Sequence, residues 1–389
     1  MAVLTVTSLV AEPSTSLEER LSVLETRMGQ LQTENAALKN ELGRLSQPGL
    51  LAVMPAGKEP KLKINGLVQF QGEFGDTGDS RYTTDNNDRF LLRRVRLGVS
   101  GEFLEEVDFK VEGEYVGTSV TLTDGFVNWS HFDEANLKFG QFKTPFGYEF
   151  LAADPKLYTI ERSLGSDVLT LNRQIGAQAS GQFLDKRLTY AAGLFNGNGA
   201  NIKTNDNDSF LYAGRVAGTP WQGKLFNQPA TWTVGANAYA STDKSVSMNK
   251  ELLIDSTPAT PAADNIFCGN RVGWGVDTQL KLGGLDLWTE YIRVTFNPDS
   301  AKPAAEFDAD TWYVQAGYFV IPNKLQPVLK FETFDPNTSV SGDETDTWTL
   351  GLNYFLKGDD LKAMIGYTIS DTPSADGDRK LFLRLQTIF

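Results

Sequence analysis

The chain has one cysteine and one histidine among 389 residues, and no apolar run long enough to cross a bilayer as a helix. Cys268 alone cannot form an intrachain disulfide, so the fold rests on other interactions. His131 alone leaves no material for a Ser-His or Cys-His catalytic device or a multi-histidine metal site, which argues against an enzyme. A spanning helix needs about 20 consecutive apolar residues, and a chain with 41% hydrophobic residues and a mean hydropathy of -0.27 supplies none. No Gly-Lys-Ser/Thr phosphate loop occurs, and a net charge of -13 argues against a nucleic-acid partner. These absences leave a membrane β-barrel open, because its strands need apolar residues only at alternate positions and its mean hydropathy resembles that of a soluble protein. The 36 glycines, 24 phenylalanines, 12 tyrosines and 7 tryptophans suit that architecture.

From Lys61 onward the pattern is strand, turn, strand. Sixteen segments are expected, at about 61–75, 89–103, 105–118, 120–132, 135–143, 173–184, 187–196, 209–218, 231–241, 271–282, 285–296, 309–321, 325–334, 345–356, 361–371 and 379–389. The connections alternate: "LEE", "FDEA", "LDKR", "LGG", "PNK" and "KGDD" are tight, whereas "DTGDSRYTTDNN", "NGNGANIKTNDND" and the stretches 242–270 and 297–308 are long and polar. An even strand count with short turns on one side and long loops on the other is the signature of an outer-membrane barrel. The stretch "GTPWQGKLFNQPA" breaks the rhythm and is assigned to the short-turn side. In "FKVEGEYVG", Phe109, Val111 and Tyr115 share one face while Lys110, Glu112 and Glu114 share the other. The chain ends on "KLFLRLQTIF", where Leu381, Leu383, Leu385, Thr387 and Phe389 share a face. A strand this amphipathic at a terminus must be paired, and closure against the first strand supplies the partner in a medium without water.

The first sixty residues differ. Leu17, Leu21, Leu24, Met28, Leu31, Asn35, Leu38, Leu42 and Leu45 are separated by alternating gaps of four and three, an unbroken heptad with leucine at every d position. A coiled coil over 17–46 follows, and with it self-association, since an isolated helix of this length is marginal in water. Packing of the leucine stripe on the chain's own body is the alternative. Asn35 at an a position fixes register at some cost in stability. The linker 47–60 carries Pro48 and Pro55, and residues 1–16 read as a leader or the remnant of a signal peptide cleaved near Ala11.

"RFLLRRVRLGVSGEF", "LKFGQFKTPFGYEF", "RQIGAQASGQFLDKRLTYAAGLFNGNG" and the terminal "LFLRLQTIF" resemble the phosphate-selective porin O/P family over roughly residues 61–389. The resemblance implies an all-β fold, a 16-stranded antiparallel transmembrane β-barrel, here preceded by an α-helical coiled coil. It implies a homotrimer in the lipid of the bacterial outer membrane and passive diffusion of small hydrophilic solutes and ions. It also implies that Phe389 is the signal read by the barrel-assembly machinery. The coiled coil would then lie in the periplasm, within reach of the cell wall. In such porins a long loop folds into the lumen, and the connection Thr144–Asn172 holds that place, with Glu149, Asp154, Lys156, Glu161, Arg162 and Asp167. By alternation Arg94 and Arg96 face away from Val95, Leu97 and Val99; with Lys110, Lys138, Arg173 and Arg384 they form a candidate basic track, or else a set of lumenal charges balanced by neighbours such as Glu112 and Glu114. Four acids against two bases in the loop, and a charge of -11 left for the barrel after seven acids and five bases in residues 1–60, point to a channel that is near neutral or mildly cation-preferring. A phosphate- or anion-selective channel, and a structural barrel tethering the envelope through its coil, are the alternatives. No cofactor is expected; Asp85 with Asp88 and Asp206 with Asp208 read as turn formers before they read as calcium ligands.

Overall fold

The structure is a computed structural model and describes residues 22, 25–33, 35, 61–75, 88–103, 106–252, 265–299, 305–372 and 375–389. It divides into two units, Met1–Lys58 and Glu59–Phe389. In the first, residues 22, 25–33 and 35 are helical, and Thr26 and Thr33 return hydroxyl bonds of 2.8 Å to the carbonyls of Ser22 and Gly29. The heptad residues Met28 and Leu31 are 60% and 53% exposed there, so the helix keeps an apolar seam on its surface. Leu17, Leu21, Leu24, Leu38, Leu42 and Leu45, the leader and the linker lie outside the described residues.

The second unit is a closed antiparallel barrel. Its strands are β1 (Lys61–Gly75), β2 (Arg89–Phe103), β3 (Val107–Glu114), β4 (Thr121–Phe132), β5 (Ala135–Lys143), β6 (Arg173–Phe183), β7 (Leu188–Phe195) and β8 (Leu211–Leu225). They continue as β9 (Gln228–Ser247), β10 (Ile266–Leu282), β11 (Leu285–Pro298), β12 (Phe307–Tyr318), β13 (Leu325–Asp335), β14 (Thr345–Lys357), β15 (Leu361–Thr372) and β16 (Ala375–Ile388). Each strand pairs with its sequence neighbour, and β16 returns to β1 in register from Leu67 opposite Ile388 to Gly75 opposite Lys380. Gly66 and Phe389 extend that seam with two backbone bonds of 2.8 and 3.1 Å. A Cβ on Gly66 would stand 2.2 Å from the Phe389 ring, so glycine is what lets the terminal aromatic lie across the seam.

The segment "GTPWQGKLFNQPA" is strand on both sides of a two-residue turn. Phe226 and Asn227 both have positive φ, 49° and 62°, as a turn matching the twist of a hairpin requires. Pro220 reads as a break, yet the ladder shifts register between Gly218 and Trp221 and so spares the proline a donor it lacks. That bulge is why β8 runs on to Leu225 instead of stopping near 218. The long connections 144–172 and 196–210 leave their strands at the opposite end from this turn.

Alternation sorts the faces. Outward, Trp274, Trp312 and Trp348 at the long-loop side and Trp221, Trp232, Tyr318 and Tyr354 at the turn side are 39–53% exposed. Val276, Val314, Leu329, Leu350 and Ile365 lie between them, an aliphatic belt flanked by aromatic girdles as lipid requires. Inward, β1 carries Gln69, Gln71 and Glu73, and β3 carries Lys110, Glu112 and Glu114, as the alternation in the sequence implies. Strands β11 and β12 depart from a uniformly wet lumen: Ile292, Val294, Phe296, Phe307 and Ala309 point inward and are buried. They pack with Phe267, Val168, Leu169 and Leu171 into an apolar core inside the barrel wall.

Candidate functional site

The connection 144–172 is laid against the inner wall rather than projecting from the rim. Gly147, with φ 78°, turns the chain into a short helix Tyr148–Leu151; a 3-10 turn Asp154–Lys156 and a helix Leu164–Leu169 follow. Gly165 in that last helix allows its contact with β12, because a Cβ there would sit 2.2 Å from Cβ of Thr311.

Each buried loop carboxylate meets wall cations or amides. Glu149 accepts the Lys330 ammonium at 3.0 Å and the Ser163 amide at 2.9 Å. Lys330, fully buried, also pairs with Glu332 at 2.9 Å, and Glu332 accepts the Leu164 amide at 2.7 Å. Glu290 accepts the amides of Tyr148 and, at 3.0 Å, Glu149. Asp154 is shared by Arg94 (3.4 Å), Arg162 (2.7 Å) and Arg96. Glu161 takes both prongs of Arg93 at 3.0 and 3.1 Å, and Arg384 besides. Arg93 reaches it because β2 bulges opposite the Gln69–Phe70 step, leaving this arginine as the extra residue. Burial works against the charge on Glu149, Asp154 and Glu161. Lys330 for the first, Arg94, Arg162 and Arg96 for the second, and Arg93, Arg384 and Arg94 for the third outweigh it, holding all three below the usual carboxylate range and the latter two well below. Loop carbonyls are captured as well: Lys362 donates to Pro155 and Leu157, Gln386 to Pro155, and Asn353 to Tyr158.

On the uncovered side, facing β4 to β8, the charge is of the other sign. A cavity of about 400 Å³ opens between the loop and that wall; Lys138, Lys143 and Arg215 line it against one acid, Asp124. Asp124 is itself held by Lys110 at 2.9 Å and Arg173 at 2.7 Å, and Arg215 by Asp277. Lys143 donates to the carbonyls of Phe150 (2.6 Å) and Ala152 (3.0 Å). Lys138 forms no ion pair among the described residues; its ammonium lies 4.6 Å from the Phe126 ring centre and 5.3 Å from that of Phe142.

The residues singled out in the sequence thus fall into two groups. Arg94, Arg96, Arg384, Glu149, Asp154, Glu161 and Arg162 meet beneath the loop, whereas Lys110, Lys138 and Arg173 stand on its open side. Asp167, half-buried in the last loop helix, adds to the field on Arg162, and Lys156 is exposed. Sequence reasoning passed over Lys143, Arg215, Glu290, Lys330 and Lys362. The last two were findable, being lone bases at inward positions of otherwise uncharged or acidic strand faces. Asp206 spends one oxygen on the amides of Lys244 and Ser245, a turn-forming role, and no three potential metal ligands cluster among the described residues.

The family model for phosphate-selective porin O and P matches residues 64–387. An uncharacterized protein of Aquifex aeolicus (strain VF5) is 23% identical over 373 residues, covering 84% of this chain and 86% of its own. Among solved structures, in-vitro folded OmpT of Vibrio cholerae in its trimer form is 12% identical with a TM-score of 0.59, covering 85% of this chain and 100% of that one. The anion-selective porin of Comamonas acidovorans is 11% identical with a TM-score of 0.58, again covering 85% and 100%. At these identities the two structures bear on the fold.

Proposed function

The chain belongs to the phosphate-selective porin O and P family of outer-membrane channels for passive diffusion, and we propose that it is an anion-preferring member. The observation that carries this is the allocation of charge. Glu149, Asp154 and Glu161, three of the four acids that point to cation preference in the sequence, are neutralised against the wall by Lys330, Arg94, Arg96, Arg162, Arg93 and Arg384. Lys138 and Lys143 face the open side with no carboxylate of their own. A solute passing there meets a positive potential within a Debye length of about 8 Å at physiological salt. Arg94, Arg96 and Arg384 then anchor the loop, Lys110, Arg173 and Arg215 line the passage paired with Asp124 and Asp277, and Lys138 and Lys143 act on the permeant ion.

A planar bilayer holding the purified protein between unequal KCl solutions tests it. The reversal potential is expected on the chloride side of zero; a value at zero or on the potassium side overturns the proposal.

The organisation around the barrel belongs to the same reading. Residues 61–389 form the pore, the helical segment within 17–46 is a periplasmic coiled coil joined through 47–60, and residues 1–16 are a leader. The exposed seam of Met28 and Leu31 favours three copies zipped together, consistent with the trimer form of the Vibrio cholerae neighbour. Outer-membrane lipid surrounds the belt, the assembly machinery reads the strand ending in Phe389, and the coil stands where it would meet the cell wall. No catalytic role is assigned.

A further inference from the structure

We propose that the cavity beside the loop is a subsite for small monocarboxylates that carry an aromatic or other apolar body; the proposal rests on the anion-channel reading above. The charged part of the site is Lys138. Its three N–H donors meet no acceptor among the described residues, although an ammonium removed from bulk water normally finds one. It is instead held by the faces of Phe126 and Phe142, whose rings stand edge to face at 6.2 Å. An aromatic cradle lowers the cost of keeping an unpaired cation there and leaves all three donors for a visitor. Gln178 and Lys143 line the same space and add donors within it.

The rest of the lining decides which anion profits. Phe126, Phe142, Pro145 and Leu151 give the cavity an apolar side. A hydrated inorganic anion gains nothing from those carbons and must shed water to approach the lysine. A carboxylate with a ring covers the apolar side while its oxygens take the ammonium, combining the two features that distinguish organic ligand sites. A volume of about 400 Å³ is within the range of such sites. Lys143 is engaged by the carbonyls of Phe150 and Ala152 and Arg215 by Asp277, so the lining offers one cation with all its donors open and one carboxylate is favoured over two.

Benzoate, formate, phthalate and inorganic phosphate, each as its potassium salt, separate the possibilities in bilayers holding the full-length protein. Benzoate is expected to interrupt the chloride current with longer dwell times than phthalate or phosphate at equal concentration. Its permeability relative to formate reads retention on the apolar side. Phe126→Leu is expected to shorten the benzoate dwell by about fivefold, the size of one aromatic contact, and Lys138→Met to abolish the interruptions. Phe142 is more deeply packed, so Phe126 is the variant of choice, and electrophoretic migration equal to the parent's establishes that it folds. An anion-selective channel that treats benzoate and formate alike, or holds phosphate or phthalate longer than benzoate, overturns the subsite alone. A channel that fails to conduct or prefers potassium overturns the reading beneath it.

Discussion

Lys330→Met removes the ammonium that joins Glu149 of the loop to Glu332 of the wall. Glu149 from the loop and Glu332 from β13 lie 3.0 and 2.9 Å from that nitrogen, and all three side chains are buried. Without the lysine the two carboxylates face one another at about 6 Å or less, which at an effective dielectric of about 20 amounts to roughly 3 kcal/mol of repulsion. Opening a buried pair by deleting one partner costs about 3–5 kcal/mol in general, and this estimate agrees in scale. Each acid keeps one backbone donor, Ser163 or Leu164, so neither is wholly stranded. The loop tip is therefore expected to leave the wall at pH 8, seen as noisy, subconductance-rich single-channel current and a lower unfolding temperature. Lowering the pH to 5 should quieten the variant, because coupled carboxylates share a proton and the repulsion vanishes with it. Adding Glu149→Gln should do the same at pH 8. A Lys330→Met channel as quiet and as heat-stable as the parent at pH 8 would refute the argument that this ion pair holds the loop.

The unmodified loop should resist acid: the depressed carboxyls of Glu149, Asp154 and Glu161 contribute stability that is full above the ordinary 3.8–4.5 and is lost only as pH falls through their lower folded values. Conductance should be flat from pH 7 to 5, and a loop transition between those values would contradict the pairing. Gly165→Ala should drive the helix Leu164–Leu169 off Thr311 and into the lumen, lowering conductance, and Thr311→Gly in the same chain should restore it; an unchanged conductance in the single variant counts against the contact. Deleting residues 17–45 should leave a conducting barrel whose oligomer dissociates at lower temperature on electrophoresis, and equal heat resistance would remove the coil from assembly. Lys138→Gln should move the reversal potential toward potassium more than Arg94→Gln does, since Arg94 is spent on Asp154; the opposite ranking would return Arg94 to the permeation path.

The barrel was legible because period-two alternation is a local property that sixteen segments repeat, and because turn chemistry marks their ends. Where it misjudged an end, as at Pro220, the cause was a register shift that depends on the neighbouring strand. The inward face of β11 and β12 was not legible. Alternation separates two faces without saying which is wet, and here Ile292, Val294 and Phe307 cover the loop while Arg293, Asp308 and Asp310 point outward and pair with one another. Arg93 illustrates the same limit, because strict alternation sets it opposite Arg94 and only the bulge brings both beneath the loop. The site residues inside the loop were found as a set of charges; their partners, such as Lys330 and Glu149 at a sequence separation of 181, are contacts made by the fold.

A net charge of -13 and an anion-preferring pore are compatible because selectivity depends on position and only weakly on the sum. Much of the acidic excess is out of reach of a permeant ion. Asp308, Asp310, Asp335, Asp346 and Asp371 lie on the outward face at the long-loop rim, and Glu149, Asp154 and Glu161 are buried beneath the loop beside their cations. Beyond about 8 Å salt screens an exposed charge, and a carboxylate already matched by a guanidinium presents a dipole rather than a charge. What an ion meets in the passage is the lining itself, where Arg215 is matched by Asp277 and Asp124 by Lys110 and Arg173, which leaves Lys138 and Lys143 without a carboxylate partner. Counting the loop's own residues, four acids to two bases, gives the opposite sign because it omits the arginines that the barrel wall contributes from β2 and β16.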